Sequence, residues 1–542
     1  MTSAILEIDG LSIALPPGAD RTDAVTNVSL CLNAGEVTCL IGESGSGKSL
    51  VARSILGLLP GRVRVRAGSI LFAGQDLARA RPAALRAIRG AEIAMIFQEP
   101  MTALNPLHTI GRQVGEVLRI HTRLGARARH TRIVELLDSV HLPEPARILR
   151  SYPHQLSGGQ RQRAMIAMAL ALNPKLLIAD EPTTALDVTT QAQILHLIRQ
   201  LQREHGTAVL FITHDFGVVA DIADHVAVLQ QGTLVEQGPV LRVLEAPQHP
   251  YTQALIAAVP KLTPPPPRPE SKAPFIIQAQ SLVKTYGTRG FFGGRVVRAL
   301  DDVDMTLRQG ETLGLVGESG SGKSTLARAI TRLMPVDSGE ILLSGRDIAR
   351  FGRRELRPYR KRIQMVFQDP YASLDPRQRV LDIIAEGPII HGMTHEAAEA
   401  EAMEMLRLVG LNVSAAGRYP HEFSGGQRQR IGIARALALR PEVLVADEPV
   451  SALDVSVQAQ VLALLADIKV RLRLSMLFVT HDLRVALQVC DRIAVMRQGQ
   501  VVEVAGTADI FANPQHPYTR ALFAAVPGAG LGTRLVPLAM DG

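Results

Sequence analysis

The chain has no tryptophan, only three cysteines and 4% aromatic residues in its 542 positions. Without aromatics interleaved among basic residues it lacks the stacking platform of a single-strand nucleic-acid binder. Cys31, Cys39 and Cys490 are odd in number and have no metal-ligand spacing, which excludes a disulfide framework and a zinc or iron–sulfur site. All three read as small buried apolar residues. No run reaches the roughly 18–20 apolar residues of a membrane-spanning helix, and the opening MTSAILEIDG has neither a basic start nor an apolar signal core. The expectation is a chain that stays in the cytoplasm. An excess of one charge is scarce too: 59 basic against 51 acidic residues leave +8, which over this length argues only weakly for nucleic acid or an anionic membrane surface.

What is present is a folded composition, 46% hydrophobic and 20% charged, on a chain long enough for several domains at about 100–200 residues each. The same words recur in the same order in both halves. GESGSGKS stands at Gly42–Ser49 and Gly317–Ser324, SGGQRQR at Ser157–Arg163 and Ser424–Arg430, ADEP at Ala179–Pro182 and Ala446–Pro449, and THD at Thr213–Asp215 and Thr480–Asp482. Ser157 to Asp180 and Ser424 to Asp447 both span 23 residues, and Asp180 to His214 and Asp447 to His481 both span 34. Upstream the halves differ, with Lys48 to Gln98 spanning 50 residues and Lys323 to Gln368 spanning 45. The Pro-rich KLTPPPPRPESKAP, Lys261–Pro274, reads as a semi-rigid linker. Domains are therefore expected over 1–260 and 275–530, followed by a tail over 531–542.

EVTCLI and ETLGLV read as buried strands, and SLVARSILGLL and STLARAITRLM as helices, on either side of the glycine-rich words. A strand, G-x-x-x-x-G-K-S and a helix form a P-loop context, which a flexible Gly-Ser linker would not supply. The N–H groups of Gly42, Glu43, Ser44, Gly45, Ser46 and Gly47, and of Gly317, Glu318, Ser319, Gly320, Ser321 and Gly322, are placed to wrap phosphates at a helix N-terminus. Lys48 and Lys323 should reach the β- and γ-phosphates, and Ser49 and Ser324 should put a hydroxyl on Mg²⁺. LLIADE and VLVADE read as central strands ending in paired carboxylates: Asp180 and Asp447 to support Mg²⁺, Glu181 and Glu448 to orient or activate water. An isolated acidic pair is usually a solvated strand end; two copies at fixed distance from a P-loop are not.

LSGGQ at Leu156–Gln160 and FSGGQ at Phe423–Gln427 resemble the signature of the ABC ATPase superfamily. The resemblance implies an α/β fold of two tandem P-loop NTPase domains of the ABC type, each with a RecA-like core, a helical subdomain and an antiparallel β subdomain. It implies ATP as ligand, with Ser157, Gly158 and Gly159 facing the second P-loop and Ser424, Gly425 and Gly426 the first. Gln98 and Gln368, in FQEP and FQDP, resemble the family's loop that senses Mg²⁺ and water and touches membrane subunits. His214 and His481 resemble its γ-phosphate switch, although a lone His after an apolar strand is more often structural. Asp187 and Asp454, in ALDV, resemble the loop that couples the two sites.

The halves depart from each other around the nucleotide. Tyr286, in LVKTYG, fits the place of an aromatic that stacks on adenine in many family members, where the first half has Leu15. Thr325, after the second P-loop serine, can donate a hydroxyl to phosphate, whereas Leu50 cannot. With base stacking at about 1–3 kcal/mol in nucleic-acid binders, the first site is expected to bind ATP about five- to a hundredfold more weakly.

PQHPYTQAL at Pro247–Leu255 and PQHPYTRAL at Pro514–Leu522 resemble the ends of ATPase subunits of bacterial oligopeptide, dipeptide and nickel importers. As plain chemistry, such a word is a helix-starting turn. The resemblance implies two membrane permease subunits and a periplasmic solute-binding protein as partners, no nucleic acid, and a peripheral place on the cytoplasmic face of the bacterial inner membrane. Many peptide-importer ATPases carry a C-terminal cysteine cluster that is missing here, so no iron–sulfur cluster is expected. The alternative is a tandem ABC ATPase acting on ribosomes or nucleic acid. The translation factors of that group resemble two domains joined by a long charged helical linker, and its DNA-repair relatives carry zinc-binding cysteines; neither feature is found here.

Overall fold

The structure, a computed structural model, describes residues 4–19, 21–183, 186–260, 262, 271–287, 296–451 and 453–528. The linker residues 261 and 263–270 and the whole tail 531–542 lie outside the described residues. Five-residue apolar runs make the centre of each half. Val37–Ile41, Leu176–Asp180 and Ala208–Ile212 are buried at every position, as strands are when both faces of a parallel sheet are covered. The chain falls into two compact units, the first running through Val259 and taking up the chain again at Pro527, the second from Pro260 to Val526.

In the first unit the strands are β1 (Ala4–Ala14), β2 (Asp23–Asn33), β3 (Val37–Ile41), β4 (Arg64–Phe72), β5 (Gln75–Asp76), β6 (Ile93–Ile96), β7 (Leu176–Asp180), β8 (Ala208–Ile212), β9 (His225–Gln230) and β10 (Thr233–Pro239). An antiparallel sheet has the order β2-β1-β4-β5, and a six-stranded sheet has the order β10-β9-β3-β8-β7-β6, parallel except for β10. Side chains alternate across β3 and β8. Cys39, Val209 and Phe211 pack toward a core shared with the helices Ile110–His121, Ala126–Ser139 and Gly158–Ala169, while Leu40, Leu210 and Ile212 pack toward the antiparallel sheet. The helical layer is inserted between β6 and β7.

The second unit repeats this plan with β11 (Phe275–Tyr286), β12 (Val297–Arg308), β13 (Thr312–Val316), β14 (Ser338–Leu343), β15 (Arg346–Asp347), β16 (Ile363–Val366), β17 (Val443–Asp447), β18 (Ser475–Val479), β19 (Arg492–Arg497) and β20 (Gln500–Gly506). Its sheets run β12-β11-β14-β15 and β16-β17-β18-β13-β19-β20. The longer upstream segment of the first half shows in β4, nine residues against six in β14. Among the described residues no helix is long and apolar enough to cross a membrane.

Cys39 and Cys490 are buried, but Cys31 is exposed, contrary to the expectation for all three. It falls on the outward phase of β2, whose partners in alternation, Leu30 and Leu32, are the buried ones. Phe211 on β8 and Phe478 on β18 are fully buried. Replacing either by Ala should destabilise its own unit by about 3–5 kcal/mol, read as a lower urea midpoint with the other unit's transition unmoved.

Candidate active site

The strand order decides which residues meet. β3, β8, β7 and β6 are neighbours, and the P-loop, His214, Asp180–Glu181 and Gln98 all follow their carboxyl ends, where open α/β sheets hold ligands. The second unit lines up the P-loop after β13, His481 after β18, Asp447–Glu448 at β17 and Gln368 after β16 in the same way.

Each P-loop is wedged against the strand beside it. A Cβ on Gly42 (φ 152°) would stand 2.1 Å from the Leu229 carbonyl oxygen, and one on Gly317 (φ 150°) 2.1 Å from that of Met496. Gly47 and Gly322 open the helices Lys48–Ile55 and Lys323–Ile330 with φ of 104° and 108°, a conformation that favours glycine. The two lysines are 5% exposed and fold onto their own loops. Lys48 Nζ donates to the carbonyls of Gly42 (2.7 Å) and Glu43 (2.9 Å), and Lys323 Nζ to those of Gly317 (2.8 Å) and Glu318 (2.7 Å). Among the described residues the buried Ser46 hydroxyl of the first loop has no hydrogen-bond partner.

Ser49 Oγ donates to Asp180 at 3.0 Å and Ser324 Oγ to Asp447 at 3.1 Å. Burial pushes both aspartic acids above the usual carboxyl range, more than the serine hydroxyls and nearby Lys48 or Lys323 pull them down. The following glutamates gather the remaining predicted groups. Gln98 Nε2 donates to Glu181 at 2.9 Å and Gln368 Nε2 to Glu448 at 2.8 Å; His214 Nδ1 lies 3.5 Å from Glu181 and His481 Nδ1 3.2 Å from Glu448. Around Glu448, burial alone would raise the carboxyl and lower the imidazole. Their mutual hydrogen bond and charge outweigh it, holding Glu448 below its ordinary range and His481 above. Both glutamates are in the left-handed region at φ 46°, and their N–H groups donate to the Ile212 and Val479 carbonyls.

This duplicated arrangement is accompanied by sequence similarity along the whole chain. The ABC transporter family matches residues 25–184 and 300–451, and the family described as the oligopeptide/dipeptide transporter C-terminal region matches 235–284 and 502–539. The chain belongs to the ABC transporter family of ATPases. It is 51% identical to the peptidoglycan transport ATP-binding protein YejF of Agrobacterium fabrum over 97% of this chain and 96% of that protein. It is 48% identical to the glutathione import ATP-binding protein GsiA of Salmonella choleraesuis and 47% to that of Escherichia coli K12, in each case over 97% of this chain and 90% of the relative. A solved structure described as the dimeric structure of a bacterial ABC transporter cassette is 30% identical over 43% of this chain and 98% of its own, with a TM-score of 0.39. As an ABC ATPase the chain binds and hydrolyses ATP.

The ABC signature words begin helices. Ser157 and Ser424 are exposed N-caps that accept from Gln160 and Gln427, whose side chains return to the serine N–H groups. Gly158 and Gly425 start the helices, while Gly159 and Gly426 let them approach the next helix: a Cβ would meet Thr190 at 3.0 Å or Val457 at 2.2 Å. Asp187 caps that next helix, accepting from Thr190 at 2.8 Å. Gln162, a signature-helix residue that sequence reasoning did not single out, donates to the Pro182 carbonyl at 2.5 Å and so ties the helix to the acidic strand end.

The two departures between halves have different surroundings. Tyr286 is 47% exposed, its ring 6.0 Å from the Lys284 ammonium, whereas Leu15 packs against the core of its unit. Leu50 also packs against that core, while Thr325 is half-buried in the first turn of its helix. Sequence reading likewise passed over Tyr251 and Tyr518, whose hydroxyls accept from the P-loop N–H groups of Glu43 and Glu318; the repeated QHPYT was the available signal.

The left-handed glutamates give a stability test free of chemistry. Left-handed backbone costs a residue with a Cβ about 1–2 kcal/mol that glycine does not incur. Glu448→Gly should therefore melt above Glu448→Ala, reversing the usual ranking of the two residues; calorimetry on the nucleotide-free variants checks it.

Proposed function

We propose that this chain is the ATP-hydrolysing subunit of an importer for peptides or peptide-like solutes, working on the cytoplasmic face of a bacterial inner membrane with two permease subunits and a periplasmic solute-binding protein. The observation that carries this reading is the duplication of two things together: a Gln–Glu–His cluster beside a P-loop, and the QHPYT region that ends each unit. One relative named for peptidoglycan transport and one named for glutathione import each match over 97% of this chain. Which solute is carried belongs to the partners.

Within each site the P-loop N–H groups and Lys48 or Lys323 hold the phosphates, and the exposed signature turns add N–H donors at helix starts. Ser49 with Asp180, and Ser324 with Asp447, form pairs of hard oxygen donors around a buried carboxyl, the donor type Mg²⁺ takes. The ion when bound would neutralise charge developing on the phosphates. Glu181 and Glu448 orient the attacking water, Gln98 and Gln368 hold those carboxylates, and His214 and His481 meet the γ-phosphate. ATP binding and product release then move the permeases between inward and outward access.

Two experiments test this. A tagged full-length chain recovered from detergent-solubilised membranes should bring two multi-spanning proteins, and its ATPase rate should fall by about 100-fold or more in Glu181→Gln/Glu448→Gln. Recovery with ribosomes and without membrane proteins would overturn the import reading. The two sites should also differ: Lys48→Ala, which leaves the second site, should retain ATP affinity at least about fivefold tighter than Lys323→Ala, given the missing aromatic and hydroxyl in the first half. Equal dissociation constants in the two variants reject unequal sites.

A further inference from the structure

Both copies of QHPYT are built alike, and both reach back some 200 residues to the nucleotide loop. Glu236 on β10 accepts the backbone N–H groups of Gln248 (2.8 Å) and His249 (3.1 Å), and Glu503 on β20 accepts those of Gln515 (2.8 Å) and His516 (3.0 Å). Each acid thus holds a turn against its edge strand. His249 Nδ1 accepts the N–H of Tyr251 at 3.2 Å and His516 Nδ1 that of Tyr518 at 3.1 Å, so each histidine caps a helix whose first residue is Pro250 or Pro517. The turn, the cap and the fixed proline φ place the tyrosine in the first helical turn.

Its hydroxyl ends on the P-loop. Tyr251 Oη accepts the N–H of Glu43 at 3.2 Å, and Tyr518 Oη that of Glu318 at 3.1 Å. The carbonyl of the same residue accepts the P-loop lysine, at 2.9 Å in the first unit and 2.7 Å in the second. One residue is therefore gripped on its N–H by the C-terminal tyrosine and on its C=O by the lysine that meets phosphate. The two halves of this chain have drifted nearby: Arg497 stands 4.9 Å from the Tyr518 ring where the first unit has Gln230, and Leu15 and Leu50 replace Tyr286 and Thr325. The hydroxyl-to-loop bond is unchanged in both.

We propose that Tyr251 and Tyr518 are positioning residues for ATP, each setting the first turn of its P-loop and, through that peptide, the seat of Lys48 or Lys323. The proposal rests on reading the P-loops as the phosphate cradles. It assigns the QHPYT region a task inside the ATPase unit itself, that of a brace from the end of each unit to its nucleotide loop. Because each tyrosine hydroxyl bonds the P-loop at the residue whose carbonyl seats the lysine, the brace acts on affinity for nucleotide and leaves the hydrolytic step alone.

The experiment uses the full chain carrying Tyr251→Phe and Tyr518→Phe, which keep both rings and remove the hydroxyls. Binding of trinitrophenyl-ATP, steady-state ATPase kinetics and the nucleotide-free melting midpoint are measured together. The expected result is a rise of about two- to twelvefold in Kd and KM, the net worth of one hydrogen bond, with kcat within about twofold and the midpoint within about 2 °C of the parent. Unchanged Kd and KM overturn the proposal, as does a loss of kcat with KM unmoved. Lys48→Ala/Lys323→Ala, measured alongside, separates the two layers of argument. If the lysine variant binds nucleotide normally, the P-loop reading itself falls; if it loses nucleotide while the tyrosine variant does not, only the brace falls.

Discussion

Between each P-loop and the strand beside it there is room for a hydrogen atom and nothing larger. Gly42 sits against the Leu229 carbonyl and Gly317 against that of Met496, so close that a methyl group would overlap the oxygen. The rest of the site follows from this contact. It sets the loop over the carboxyl end of its strand and turns the Gly42 and Glu43 carbonyls, or those of Gly317 and Glu318, toward the lysine. An ammonium that would otherwise be costly to bury is held by two backbone oxygens at a helix start. The parallel order of the sheet then brings three more strand ends beside it, and the polar groups that the chemistry needs are carried there by backbone alone.

What could be read from the amino acids was what is local. A five-residue apolar run, a glycine-rich turn and an amphipathic helix are adjacent in the chain, so the P-loops and their flanking elements are legible without a fold. The acidic pairs, the glutamines and the histidines are legible as words at fixed spacing, and the resemblance to ABC ATPases supplied their roles. That Gln98 and His214 both meet Glu181 depends on strand order, which no local pattern encodes. Cys31 shows the same limit on a smaller scale, since composition makes a cysteine apolar and only the phase of β2 makes it exposed. The tyrosine brace was hidden for a further reason. A Tyr in a helix-starting turn already has a sufficient local explanation, and its partner is 208 residues away in one unit and 200 in the other.

The divergence between the halves has a physical direction. In the first unit Leu15 and Leu50 pack against the core, whereas Tyr286 is exposed and Thr325 is polar in the second. The apolar side chains there gain burial, at about 0.8 kcal/mol per buried methylene. The serine–aspartate bond, the glutamine and the histidine are meanwhile held at closely similar distances in both units. The two units thus differ beside the P-loop and coincide at the acidic cluster.

The left-handed glutamates explain which part of that cluster is able to move. Glu181 and Glu448 leave their strands at φ 46°, a conformation that costs energy and persists only where the surroundings over-determine it. Here the neighbouring strand does so, through the Ile212 and Val479 carbonyls that accept the glutamate N–H groups. The backbone that carries each carboxylate is therefore tied to the neighbouring strand. Gln98 and Gln368 lie beyond β6 and β16 at the edge of that sheet, on the segments leading into the helical layer, and His214 and His481 stand two residues past a strand end. A displacement of the helical layer would carry the glutamines away and leave the glutamates in place. Under the roles proposed above, hydrolysis in each unit depends on the glutamine and the histidine meeting a carboxylate whose backbone is tied to the neighbouring strand.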